Sequence, residues 1–258
     1  MISPLTDKPD AYQKGWVEFY KLRFKVTPDV LIPRPETELL VDEVLNCIKY
    51  YVSSIKGNRK KDVTVLDVGT GSGAIAISLA SNLRGCNINI IATDISGKAL
   101  KIAQQNAKLH GVEDKIKFIQ SDLLLSLDPS LITQAIGSEA QARRDDNLII
   151  VTNLPYIPTA RIPYLDSSVK DFEPFIALDG GDDGFELYRK LFQQLEKFSL
   201  TPLRWVPKLI IGEIDYTQGE TAVYEGQKYF PNAVVEVKKD LAHLQRILKI
   251  SINSTHNR

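Results

Sequence analysis

Four short runs between residues 63 and 152 carry the clearest hydrophobic patterning of the chain, and each stops on a polar side chain. Val63-Thr64-Val65-Leu66 leads into Asp67, Ile88 to Thr93 into Asp94, Lys115 to Ser121 into Asp122, and Leu148 to Thr152 into Asn153. Runs this short, with Val and Ile prominent, predict strands. Ala74 to Ala80, by contrast, is helical in composition. Leu40, Val41, Val44, Leu45 and Ile48 recur at helical spacing and predict a helix over 39–51. Farther along, helices are predicted over 185–198 and 217–230 around a strand at 208–213, with 233–237 and 244–250 as a closing antiparallel pair. Trp16, Phe19, Tyr20, Phe24 and Val26 alternate in the way a hairpin within 16–32 requires. Two polar stretches separate these elements: a basic linker at 53–61 and, over 126–147, a long surface loop with one helical turn. Strands alternating with helices make a doubly wound α/β sheet. The expected division is an appendage of hairpin and helix over 1–52 and a main domain over 53–258.

The polar strand ends turn this fold into a site. In an open parallel sheet, the carboxyl ends of the strands border the crevice where ligands bind. Asp67 is followed by Val68-Gly69-Thr70-Gly71-Ser72-Gly73 and then by the helical run. Glycines between a strand and a helix let a ligand approach the backbone. Their spacing is Gly-x-Gly-x-Gly, unlike the Gly-x-Gly-x-x-Gly of dinucleotide folds. A carboxylate just before them repels pyrophosphate and suits a cation. S-adenosylmethionine, with its sulfonium and ammonium, fits. The expected cofactor residues are Asp67, Gly69, Thr70, Gly71, Gly73, Asp94, Asp122 and Asn153. Asp94 lies 25 residues past Gly69, near the distance at which such sheets place a ribose-binding carboxylate. Asp122 can accept from an adenine amine. Each Asp taken singly serves equally well as a helix N-cap.

Asn153-Leu154-Pro155-Tyr156 carries the candidate chemistry. The Asn153 oxygen and the Leu154 carbonyl can both accept from an NH2 group. Pro155 holds Leu154 extended, and Tyr156 can cover a planar group. These four residues are the expected catalytic and acceptor-binding set, for a planar amine or amide nitrogen. The bland alternative is a strand followed by a proline turn.

Composition narrows the class. Thirty-two basic and thirty-two acidic residues cancel, which argues against a broad nucleic-acid surface. No stretch has the apolar length of a membrane span, and the N-terminus has no apolar signal core. Cys47 and Cys86 are too few for a disulfide framework and fit a reducing cytoplasm. His110, His243 and His256 have no metal-ligand spacing, so no metal is expected.

Phe24-Lys25-Val26, Leu31-Ile32-Pro33-Arg34-Pro35-Glu36-Thr37-Glu38, the glycine run and Asn153-Leu154-Pro155-Tyr156-Ile157-Pro158 resemble the peptide-chain release factor N(5)-glutamine methyltransferases. So do Glu173-Pro174, Gly180-Gly181, Tyr188-Arg189, Gly212-Glu213, Gln218-Gly219, Lys239-Asp240 and Arg246, and the resemblance spans roughly residues 16 to 250. It implies a Rossmann-like methyltransferase sheet in the cytoplasm. The cofactor is then S-adenosyl-L-methionine, leaving S-adenosyl-L-homocysteine, and the acceptor a glutamine in the Gly-Gly-Gln segment of a release factor. Arg34 and Glu36 are implied at the substrate entrance, and Thr37 either joins them or caps the helix that follows. Nucleic acid enters only indirectly, through the ribosome-associated substrate. Two departures stand out. The family has Asn-Pro-Pro-Tyr where this chain has Leu154, and the 23 residues before Phe24 are too few for the family's helical lobe, so partner recognition through that lobe is not expected. Two other readings fit the same residues: methylation of the exocyclic amine of adenine in DNA or RNA, and a noncatalytic cofactor-binding subunit.

Overall fold

β3 (Val63–Val68) is buried along its whole length, as the middle strand of a parallel sheet must be. The computed structural model describes residues 7–53, 63–84, 86, 88–128, 147–199 and 206–252. All of the predicted 53–61 linker but Ser53, which ends a helix, and most of the 126–147 loop lie outside them. From the N-terminus come α1 (Asp10–Lys14), the hairpin strands β1 (Trp16–Phe19) and β2 (Leu22–Lys25), and α2 (Glu38–Ser53). After β3 follow α3 (Ala74–Asn82), β4 (Ile88–Asp94), α4 (Gly97–Leu109), β5 (Ile116–Gln120) and β6 (Asn147–Thr152). The chain closes with α5 (Ser167–Lys170), α6 (Glu186–Ser199), β7 (Leu209–Glu213), α7 (Gly219–Tyr229), β8 (Ala233–Lys239) and β9 (Gln245–Ile252).

Seven strands form one sheet in the order β5-β4-β3-β6-β7-β9-β8, with β1 and β2 apart as an antiparallel pair. Every pairing from β5 to β7 is parallel; β9 runs antiparallel to both β7 and β8. From β3 the chain winds outward to β4 and β5 and then returns to β6 on the other side of β3. The switch point, where a doubly wound sheet opens its crevice, therefore lies between the carboxyl ends of β3 and β6.

Alternation along the strands builds a core on each face. Val63, Val65, Ile149, Val151, Leu209 and Ile211 pack with Leu40, Val44 and Ile48 of α2, with α3, and with Phe19 and Phe24 of the hairpin. Leu66, Leu148, Ile150 and Ile210 point the other way, onto Phe185 and onto Tyr188, Leu191 and Phe192 of α6. Each large side chain so buried contributes roughly 1.5–3 kcal/mol. By the same two-residue period, Asp67, Asn153 and Glu213 continue the first face at the carboxyl ends of β3, β6 and β7.

Residues 157–184, to which the sequence assigns no element, fold into 3-10 turns (Thr159–Tyr164 and Phe175–Ala177) around α5. A parallel bridge between Ile157 and Asp179 closes this segment beside the crevice. Among the described residues, no helix is long and apolar enough to cross a membrane.

Candidate functional site

Three consecutive glycines of the loop after β3 have left-handed backbone: φ is 75° at Gly69, 57° at Gly71 and 83° at Gly73. This is the conformation that glycine adopts without steric cost. A Cβ at Gly73 would also meet Ile77 Cδ1 at 2.7 Å, so a side chain there would have to displace the end of Ile77. Asp67 holds the loop from inside. Its Oδ2 accepts from Thr70 Oγ1 at 2.7 Å and from the Ala76 N–H at 3.1 Å, satisfying an end of α3 that Gly73 cannot cap. Burial pushes its carboxyl up to about 7, against the pull of those two donors, and its Oδ1 has no partner among the described residues.

Asp94 holds the loop from outside. Its Oδ2 accepts from Gly71 N–H and its Oδ1 from Ser96 N–H, both at 2.8 Å. Burial raises its pKa, and the two backbone donors oppose that rise. Each oxygen keeps a lone pair for another donor. Gly69 and Thr70 give their N–H groups to Thr93 O, so the loop is stitched to β4. Asp122 accepts from Lys190 Nζ through Oδ2 at 2.5 Å.

Across the switch point, Asn153 donates through Nδ2 to Thr37 Oγ1 at 3.0 Å and to Glu213 Oε2 at 3.1 Å. Thr37 gives its own proton to Glu213 Oε2 at 2.7 Å, and among the described residues its oxygen accepts from Asn153 rather than from an N–H of α2. Tyr156 OH donates to Glu213 Oε1 at 3.1 Å. Burial is the larger cause, and Glu213 the second, of a Tyr156 hydroxyl held well above its ordinary range. Glu213 is itself 1% exposed and pushed up by burial. Leu154 is buried, and its Cδ2 lies 3.3 Å from where a Cβ of Gly69 would stand, joining this segment to the glycine loop.

Between the two segments is a cavity of about 180 Å³. Gly69, Thr70, Gly71, Asp94, Asp122, Asn153, Leu154 and Pro155 line it together. Asp67, Gly73, Tyr156, Arg34 and Glu36 are not among its walls. Asp67 and Gly73 stand behind the loop, and Tyr156 stands behind Asn153. Arg34 pairs with the buried Glu173 at 2.5 Å, and Glu36 is exposed. Sequence reasoning assigned no role to the apolar walls Val30, Leu31, Ile95, Leu123 and Ile176. Nor did it give Glu213 one, although an acidic side chain closing a strand repeats the signal read at Asp67 and Asp94.

A methyltransferase domain family model matches residues 59–135. The release factor glutamine methyltransferase of Lactococcus lactis subsp. lactis (strain IL1403) is 35% identical over 244 residues, covering 95% of this chain and 77% of that protein. The protein of the same name from Bacillus cereus is 35% identical over 241 residues, 93% of this chain and 75% of its own length. The chain belongs to the release factor glutamine methyltransferase family. The solved N-terminal domain of human METTL16 in complex with SAH has the same fold, with a TM-score of 0.56 at 14% identity over 91% of this chain and 77% of that one. Within the family frame, the two polar clusters described above occupy the two sides of one crevice: carboxylates around the glycine loop, and a hydrogen-bonded Asn-Thr-Tyr-Glu group opposite.

Proposed function

We propose that this protein transfers a methyl group from S-adenosylmethionine to the side-chain amide nitrogen of a glutamine, in the Gly-Gly-Gln segment of a release factor in the cytoplasm. The observation that carries the reading is the placement of Asn153, Leu154 and Pro155 on the same cavity wall system as Gly69, Gly71 and Asp94. An acceptor for an NH2 group and a fixed carboxylate for ribose hydroxyls then face one space. The residues present fit the cofactor. A Cβ at Gly71 would meet nothing within 4 Å, so that turn is open to a ligand. Asp94 offers one free lone pair on each of two anchored oxygens, Asp122 keeps Oδ1 for the adenine amine, and Ile95 and Leu123 supply apolar walls for its ring.

The cofactor, when bound, supplies a methyl group on a positive sulfur: the carbon–sulfur bond breaks as the carbon–nitrogen bond forms, and sulfur keeps the electron pair. The protein's task is placement. An amide nitrogen is a weak nucleophile because its lone pair is delocalised. Asn153 Oδ1 and the Leu154 carbonyl accept from its two N–H bonds, increase electron density on nitrogen and hold it in line with the methyl carbon. As the bond forms, one of those protons departs to water, so no strong base is needed. Tyr156 contributes from behind, through the group it shares with Asn153.

The test is transfer of label from methyl-labelled cofactor to purified release factor. Label that disappears on protease treatment and is mapped to the Gly-Gly-Gln glutamine is the expected result. Label that disappears on nuclease treatment instead would assign the site to the exocyclic amine of adenine.

A further inference from the structure

Asn153 has a symmetric shape and an asymmetric chemistry: one end of its amide only accepts hydrogen bonds and the other only donates. Glutamine methylation as proposed above needs the accepting end to face the substrate, and the inference here rests on that reading. The Nδ2 end is held on the protein side, where Thr37 Oγ1 and Glu213 Oε2 both accept from it. Thr37 can accept from Asn153 because it has sent its own proton to the same Glu213 oxygen. The second Glu213 oxygen takes the Tyr156 hydroxyl. Glu213 thus receives three donors and offers none, the pattern of an ionised carboxylate. Its backbone is fixed as well, since Tyr188 OH donates to Glu213 O at 2.6 Å.

We propose that Glu213 is a positioning residue of the methyl-transfer site: its carboxylate holds the Asn153 amide with the oxygen toward the acceptor nitrogen, and only in its ionised form. If the amide turned over, its oxygen would face an anionic oxygen, a repulsion inside a dry pocket. A protonated Glu213 removes that repulsion and offers a proton to the turned oxygen, so the amide loses its preference. An Nδ2 facing the substrate would then oppose the NH2 group of glutamine with a second donor. Burial moves this titration upward from the ordinary glutamate range. The groups facing Glu213 are Thr37 and Glu36 from the turn before α2, Asn153 and Tyr156 from the segment after β6, Tyr188 from α6 and Arg246 from β9. Of the two charged ones, Arg246 favours the ionised form and Glu36 opposes it.

The experiment measures kcat against pH for the full chain with a release-factor substrate, and in parallel follows the Asn153 side-chain amide by nitrogen NMR in the free protein. In the wild type, kcat should fall on the acid side, and the Nδ2 proton pair should shift over the same pH range. Glu213→Gln should lower kcat by about 10- to 100-fold, by analogy with loss of a preorganised polar contact, leave the cofactor Kd unchanged, and abolish both the acid limb and the amide shift. Glu213→Asp keeps the charge and should keep the limb. Glu213→Gln with wild-type kcat, or with its acid limb intact, would overturn the proposal, and so would an Nδ2 pair indifferent to pH in the wild type. A wild type that leaves the release factor unmethylated sinks the functional reading alone; the amide titration, which needs no substrate, then decides the role of Glu213.

Discussion

Asp67 and Glu213 close strands on either side of β6, are 0% and 1% exposed, and are both pushed upward by burial. Their partners differ in kind. Asp67 binds Thr70 and Ala76, three and nine residues away, and so folds its own loop. Glu213 gathers Thr37, Asn153 and Tyr156 from 176, 60 and 57 residues away, and so orients side chains. Asp67 also has an oxygen without a partner among the described residues, where a proton can sit at little cost. Glu213 is surrounded by donors, where a proton disrupts the set. A buried carboxylate can thus be a piece of local architecture or the hub of a site, and partner distance along the chain separates the two.

The largest expected effect concerns stability, at Asp67. A folded-state pKa of about 7 against an ordinary 3.8 means that the native state holds a proton that the unfolded chain has released. The stabilisation is complete below the unfolded value and is lost as pH rises through the folded one. The loss is about 1.4 kcal/mol per pH unit, or about 4 kcal/mol across the window from pH 4 to pH 7. Asp67→Asn keeps the acceptor for Thr70 and Ala76 and places its NH2 where the unpartnered oxygen was. Urea unfolding of wild type and variant at a series of pH values should show the difference between them growing with pH, in the variant's favour. A constant difference would show that Asp67 is ionised in the fold and that the two carboxylates are alike after all. Cofactor affinity should change little, since Asp67 is not on the cavity wall.

The same contrast explains what the sequence made legible. The strands, their polar ends, the closing antiparallel pair and the glycine loop follow from periods and spacings within about ten residues, and the structure has them. Asp94 and Gly71 lie 23 residues apart, yet their contact follows from parallel strands β3 and β4 being neighbours. Thr37 shows where that reasoning stops. Its position before a helix suggested a cap as well as a place at the entrance, and only the packing of α2 against β7 shows its hydroxyl directed to Glu213. The apolar walls Val30, Ile95 and Ile176 were equally silent, because any surface loop can carry one such residue. The family resemblance, carried by motifs scattered over the whole chain, reached the function that local spacing left open between an amide and an adenine amine.

Next in size is Asn153→Ala, which tests the hub side of the contrast directly. Removing the acceptor should lower turnover by about 100-fold, about 2.7 kcal/mol in the barrier. It also leaves Glu213 with one donor fewer, so the variant's thermal midpoint should be compared with the wild type's. Binding of cofactor by calorimetry should be nearly unchanged. Retention of most of the activity would move the acceptor role away from Asn153.

Asp94→Asn sharpens the loop side. The carboxylate accepts two backbone N–H groups, one on each oxygen. An amide presents a donor to one of them, so either Gly71 or Ser96 loses its anchor. Cofactor Kd should rise by about tenfold, equivalent to about 1.4 kcal/mol, while kcat at saturating cofactor changes less. A larger effect on kcat than on Kd would place Asp94 with Glu213, among groups that serve the transfer step rather than cofactor binding.

The smallest effect is expected at Leu154, where the two regions touch. Its carbonyl is the part assigned to the acceptor, and proline has one too. The isobutyl group does something else: it is buried and packs toward Gly69, joining the Asn153 segment to the glycine loop. Leu154→Pro keeps the carbonyl and Pro155, which restrains residue 154 from the following side, and trades that packing for a fixed φ. Turnover at saturating cofactor should stay within about tenfold of wild type, a barrier change of less than about 1.4 kcal/mol. Pro155→Gly keeps every contact of Leu154 but frees the backbone that aims both acceptors, and it should cost more. If Leu154→Pro is inactive while Pro155→Gly is fully active, side-chain packing between the two regions matters more than the backbone geometry. The glycine loop and the Asn153 segment would then act as one unit rather than as the two contrasted here.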